Sequence, residues 1–179
     1  WIEEYGQKAC FFTTNDALEE PLIRQVAAFG GLYVEGDFPS PTMGYPGALG
    51  VKFEEADKGN WPRILKGVED AVIEAGGAGR MATWTYSYAY SCVVGLGEHA
   101  KMVIEGKSEL LNKYDILDAF NKGTPGSEWN SSYYVDEDDV ARKNFMLIYQ
   151  DTYVFGKGYL KLTSEIVPEK YYDKNIGKK

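Results

Sequence analysis

The one histidine, His99, is the only imidazole available as a general base, so nucleophilic catalysis would have to pair it with a serine or a cysteine. The sequence does not support that pairing. His99 falls inside a helical pattern two residues past Gly97, and no G-x-S-x-G turn occurs. A packing or surface histidine is the expectation, and the chain reads as a non-enzyme. With only Cys10 and Cys92 beside it, a Cys/His-rich metal site and a disulfide scaffold are both excluded. Cys10 stands in an apolar, strand-like run where thiols are usually inert, Cys92 on a helical stretch, and a bond between them is left open. The acidic run Asp136–Asp139 lacks the alternating ligands, central Gly and closing Glu of a calcium loop. It reads as a helix N-terminus before Val140, Phe145 and Ile148. Gly76-Gly77-Ala78-Gly79 follows a helix and precedes a strand, the wrong order for cradling phosphate, and no G-x-G-x-x-G follows a strand. No metal and no cofactor are expected.

Binding chemistry is better placed. Three strand-like runs end in Thr13-Thr14-Asn15-Asp16, in Asp37-Phe38-Pro39-Ser40 and in Thr83-Trp84-Thr85-Tyr86. These ends offer carboxylate and amide acceptors, hydroxyls and two large aromatic faces. Such a set suits small polar molecules with apolar faces, such as sugars and nucleosides. Asn15, Asp16, Asp37, Trp84 and Tyr86 are therefore the candidate ligand-binding residues. Each has a plainer alternative: Asn15 or Asp16 satisfies the loop before its helix, and Trp84 is core.

The elements that would position them follow from the hydrophobic pattern. Ala9–Thr14 reads as a strand covered on both faces. A helix begins around 17–20, since Pro21 is tolerated only in a first turn, and Gly30-Gly31 stops it. Leu32–Asp37 is the second strand. Phe38–Gly50 holds three prolines and three glycines in thirteen residues, too many for a simple turn and typical of a functional or mobile loop. Trp61–Ala75 is the cleanest helix, capped by Asn60 with Pro62 in its first turn. Arg80–Tyr86 is the third strand. Helices follow at about 88–105 and 109–122, where Gly95 and Gly97 either weaken the first or allow close packing. Ser132–Val135 looks like a short strand, 144–155 suits strand or helix equally, and Leu162–Val167 is a further strand candidate. Successive βα units imply an α/β fold with a parallel sheet flanked by helices, whose ligand edge lies beyond the carboxyl ends of its strands.

Composition agrees with a soluble α/β domain that binds something small. The chain has 179 residues, 44% of them apolar, with a net charge of −8. No basic patch exists to neutralise phosphates, so nucleic acid is disfavoured as a partner. Apolar stretches such as Cys92–Leu96 fall far short of the about 20 residues of a membrane span. Aromatic residues reach 15%, with 14 Tyr, which suits clefts and interfaces.

The unit Phe11-Phe12-Thr13-Thr14-Asn15-Asp16, a helix, then Gly31-Leu32-Tyr33-Val34 resembles the strand–Asn-Asp–helix unit at the ligand edge of the second lobe in type I periplasmic binding proteins. Glu20-Pro21-Leu22-Ile23, Pro39-Ser40-Pro41 and Tyr45-Pro46-Gly47-Ala48-Leu49-Gly50 resemble an uncharacterised family of bacterial lipoproteins with that fold, distantly similar to basic membrane lipoproteins. The resemblance implies one lobe of a type I periplasmic-binding-protein-like fold, with second-lobe βα units over 1–106 and a helical and extended extension of the same domain over 107–179. It implies an extracytoplasmic, lipid-anchored protein that binds a small polar solute for uptake or sensing, with a membrane permease as partner and no catalysis. The opening Trp1–Gly6 reads as the last turns of a helix, and the chain as a C-terminal fragment. An isolated lobe should then bind ligand weakly and expose aromatic surface near 38–45 and 84–90, favouring a homodimer. Two alternatives are a cytoplasmic effector-binding domain of a sugar-responsive repressor, which shares the Asn-Asp unit, and an α/β enzyme.

Overall fold

A computed structural model describes residues 1–161. The strand expected at Leu162–Val167 lies outside them. The chain opens with a short helix α1 (Ile2–Tyr5), then β1 (Cys10–Phe11), α2 (Glu19–Phe29), β2 (Leu32–Tyr33), α3 (Tyr45–Leu49), α4 (Trp61–Glu74) and β3 (Ala82–Thr83). It continues through α5 (Tyr88–Ile104), α6 (Lys113–Gly123), β4 (Trp129–Val135), β5 (Ala141–Gln150), β6 (Tyr153–Val154) and β7 (Gly158–Tyr159).

The first three strands run parallel, as the βα pattern predicts. Cys10 pairs with Leu32 and Phe11 with Tyr33, and a parallel bridge joins Tyr33 to Met81 just before β3. The sheet is nonetheless mixed. β6 pairs antiparallel with β3, Ala82 opposite Val154, and β7 pairs antiparallel with β6. After α6 the chain returns through a β4–β5 hairpin, and the Gln150 side chain at its end reaches the Thr85 backbone N–H beyond β3. The chain thus enters the sheet at the strands' C-terminal edge and must run down it, against β3.

Local chemistry sets the helix limits. Asn60 accepts from the Arg63 backbone N–H and Pro62 sits in the first turn of α4, as the sequence predicts. One core joins α2 and α4 to the sheet: Ile23 and Val26 from the first, Val68 and Val72 from the second, against Tyr33, Met81 and Phe155. Both crossovers feed this one cluster. The far face of β1 is therefore open: Cys10 and Phe12 are exposed. The strand expected to be covered on both faces is covered on one, and Cys10 is an accessible thiol rather than a buried one. Cys10 and Cys92 are both free.

The proline- and glycine-rich stretch is a fixed strap. It contains α3, buries Ser40, Pro41 and Tyr45, and is anchored where the Tyr45 hydroxyl donates to the Ala82 carbonyl at 2.7 Å. The acidic run Asp136–Asp139 is not a helix start. It forms the turn of the β4–β5 hairpin, where the Asp136 carboxylate accepts from the Asp138 and Val140 backbone N–H groups and pairs with Arg142. Asx-type bonding of this kind competes with helix and favours turns. Residues 144–150 are strand, because they belong to β5, whose Met146–Gln150 pair with Trp129–Tyr133 of β4.

A second cluster, Trp84, Ile116, Phe120 and Trp129, lies beneath the hairpin. Here α5 and α6 meet closely. A Cβ on Gly95 would come within 2.6 Å of the Phe120 ring, whereas one on Gly97 would meet nothing within 4 Å. Gly95→Ala should therefore destabilise the protein by ~1–3 kcal/mol, less about 1 kcal/mol of improved helix propensity. Gly97→Ala should stabilise it by up to about 1 kcal/mol. Urea unfolding of both variants checks the pair, and equal effects would disprove this account of Gly95.

Candidate functional site

Parallel β1, β2 and β3 carry their C-terminal ends to one edge, and the turns beyond them build the site. After β1, the Asn15 side chain accepts from the Ala17 backbone N–H at 2.9 Å and caps the turn Asp16–Leu18. That is the plainer of its two expected roles. Asp16 is exposed. The turn delivers Glu19 to the first position of α2, where it is only 2% exposed.

Glu19 is the centre of the arrangement. Its carboxylate accepts from the Phe38 backbone N–H at 3.4 Å. It occupies the space beside Gly36, whose Cβ would fall 2.2 Å from Glu19 Oε1 and 2.6 Å from the Tyr33 hydroxyl. Only glycine between Glu35 and Asp37 leaves room for both groups. Burial pushes the Glu19 carboxyl up to about 7, the Phe38 N–H opposes that rise, and the negative charges of Asp16 and Asp37 add to it. Burial likewise raises Tyr33, with Glu19 and Glu35 contributing. Glu35 is also raised by burial, partly offset by the Trp84 indole N–H lying against it.

The aromatic side of the edge comes from β3 and α5. Trp84 is 8% exposed and belongs to the second core, packing edge-on against Trp129 at 5.4 Å between ring centroids. Its other neighbour is Tyr88 at 5.7 Å, which in turn meets Phe38 at 5.4 Å. The Tyr88 phenol is raised chiefly by the neighbouring Cys92 thiol and by burial, with Asp37 adding a smaller share. Tyr86 stands apart. Its hydroxyl donates to the Pro125 carbonyl at 2.9 Å, and its ring packs with Trp61 and stacks on Tyr90.

The structure thus brings Asp16, Asp37 and Trp84 into one connected group through Glu19, Tyr88 and Glu35. It gives Asn15 a capping bond, and it sets Tyr86 in a neighbouring aromatic trio. Sequence reasoning missed Glu19, Tyr33, Glu35 and Tyr88 as members. Glu19 and Glu20 both suit a helix dipole, and nothing local distinguishes the buried one. The usable signal was Gly36, a small residue set between two acids.

His99 contributes no chemistry here. It is 4% exposed, and its Nε2 donates to the Leu110 carbonyl at 3.1 Å, a packing role between α5 and the segment before α6. No three groups among the described residues are arranged to hold a metal ion.

Comparison with known proteins places this architecture. The family described as "Protein of unknown function (DUF3798)" matches residues 1–82, and a second family model matches residues 93–174. An uncharacterized protein of Treponema pallidum (strain Nichols) is 30% identical over 81 residues, which make up 44% of this chain and 91% of that relative. The chain belongs to the DUF3798 family. A second Treponema pallidum protein, also uncharacterized, is 30% identical over 81 residues, but the match spans only 35% of its length. Among solved structures, this DUF3798 protein resembles a proposed transcriptional regulator from Clostridium difficile 630, with a TM-score of 0.69 and 18% identity. The likeness covers 86% of this chain and 42% of that one, so the fold here is a mixed α/β arrangement shared with part of the regulator.

Glu19 generates a test. Its folded-state value, about 7, lies above the ordinary 4.5, so the folded chain holds the proton more tightly than the unfolded chain. That stabilisation is fully present below about 4.5 and is lost as the pH rises through about 7, by up to roughly 3 kcal/mol. Glu19→Gln should flatten this part of the stability–pH curve. Urea midpoints at about pH 5 and about pH 8 check it, and parallel curves for variant and wild type would refute the buried carboxyl.

Proposed function

We propose that this chain is one lobe of a type I periplasmic-binding-protein-like protein that binds a small polar solute at the C-terminal edge of its parallel strands. The convergence of Asp16, Glu19, Glu35, Asp37, Trp84 and Tyr88 on that edge carries the reading. Polar groups buried among aromatic faces, at the ends of parallel strands, are where α/β sheets of this kind take ligands. The reading is of binding without turnover. His99 Nε2 is committed to the Leu110 carbonyl, and no hydrogen bond joins the ring to a serine or cysteine among the described residues.

The resemblance to bacterial lipoproteins supports an extracytoplasmic, lipid-anchored setting with delivery to a membrane permease or a sensor. The Clostridium neighbour supports a second reading, an effector-binding domain of a regulator. Both readings use the same edge and differ in what is attached to it. No helix among the described residues is long and apolar enough to cross a membrane.

Equilibrium dialysis against a mixture of sugars, nucleosides, amines and carboxylic acids, read by mass spectrometry, tests the proposal. Wild type should retain at least one small polar solute, and Asp37→Asn should retain less of it. Retention indifferent to Asp37 and Glu35 substitutions would move the site elsewhere and end the reading. Consumption of a solute, abolished in His99→Ala, would make the protein an enzyme instead.

A further inference from the structure

Charge is segregated along the strands. In segments 12–19, 34–45 and 84–92, which carry the C-terminal ends of β1, β2 and β3, every charged residue is acidic: Asp16, Glu19, Glu35 and Asp37. Three cations lie at the opposite end. Lys8 precedes β1, Arg80 precedes β3 and donates to the Val26 and Gly31 carbonyls, and Lys157 lies against Gly79. On the approach to α4, Lys58 is already held by Glu55, and Arg63 by Asp57 and Glu54.

Solvated acids on a surface would mean little alone. Two further observations aim this group at a ligand. The hydroxyls of Tyr33 and Thr13, on residues 1% and 3% exposed, are buried and have no partner at full bonding distance beyond a weak approach to each other, and the Tyr33 oxygen lies within electrostatic reach of Glu19 and Glu35. Buried hydroxyls are rarely left so. Second, the carboxylates border a row of aromatic faces, Phe38, Tyr88 and Trp84, of which Phe38 and Tyr88 reach solvent. Carboxylates beside aromatic faces recognise a positive charge carried on an apolar stem. A bare metal ion does not fit, because no three ligating groups converge among the described residues.

We infer that this edge recognises a small organic ammonium compound, with Asp16 and Asp37 facing its charge and Tyr88 and Phe38 facing its hydrocarbon. The inference rests on the solute-binding reading and narrows its ligand class from polar solutes in general to cationic ones. Behind them the Glu19 carboxyl, pushed up to about 7, and the buried Tyr33 hydroxyl supply hydrogen-bonding capacity with less than a full further negative charge.

The test is an amide-detected NMR titration of the chain with four probes at constant ionic strength: spermidine, choline, ribose and adenosine. Spermidine or choline should give saturable shifts centred on residues 35–38 and 84–88, with ribose and adenosine giving none there. Asp37→Asn and Tyr88→Leu should each weaken that binding roughly two- to fivefold. Both positions are solvent-exposed, so the variants should keep the wild-type spectrum elsewhere. If ribose or adenosine shifts these amides and the amines do not, the inference is overturned and the solute-binding reading stands. If amine shifts spread evenly to the Asp136 turn and ignore Asp37→Asn, general attraction to an acidic chain explains them and the inference fails. If no probe moves the edge, both the inference and the reading beneath it fail.

Discussion

A single buried carboxyl ties the strand ends together. Glu19 begins α2, yet its side chain turns back into the space that Gly36 leaves open and accepts from the Phe38 backbone N–H. Gly44 of the strap approaches its Cβ from another side, at a distance a side chain there could not tolerate. Three segments distant in sequence therefore meet on one group. Burying a carboxyl is costly unless it is hydrogen-bonded or neutral. Its raised value, about 7, which keeps the proton to much higher pH than an exposed carboxyl does, is the compromise. Asp16, Asp37 and Glu35 can crowd the same edge more easily because the most deeply buried acid carries less than a full charge near neutrality.

The remainder of the chain completes what β3 begins. The Thr85 hydroxyl reaches Ser127, Gln150 and Tyr159, so the end of β3 is bonded to the turn before β4, the end of β5 and β7. On the other side of the same strand end, Trp84 leans into Trp129 and Phe120. Alternation along an extended backbone sends one residue into a polar network and its neighbour into an aromatic core. The hairpin and α6 thereby fix the orientation of Trp84 and, through it, of Tyr88.

Much of this was legible because it is local. Asn60 and Pro62 mark the start of α4, Gly30 the end of α2, and the alternation of short apolar runs with helical patterns gives three parallel strands. The convergence of the strand ends follows from parallel pairing alone. What was not legible depends on distant contacts. Asp136–Asp139 carries a composition suited equally to a helix start and a turn, and only the pairing of β4 with β5 decides between them. The antiparallel β6 and β7 are two residues each, too short for a period to show. The burial of Glu19 and the bonding of the Tyr86 hydroxyl were hidden for the same reason. Which acid is buried, and which tyrosine hydroxyl is used up on a carbonyl, depends on what arrives from residues 36–44 and 125.

The open outer side of β1 has a practical consequence for handling the molecule. Cys10 is exposed on a strand that pairs, among the described residues, with β2 alone, and Trp1, Phe12 and Phe29 also expose apolar surface. Cys92, by contrast, is half-buried, and burial pushes its thiol up. Air oxidation will therefore act first on Cys10, converting a fleeting edge-to-edge encounter of two molecules into a covalent link. A dimer seen without reductant reports the redox history of the sample, whereas one that persists in reductant reports the surface itself.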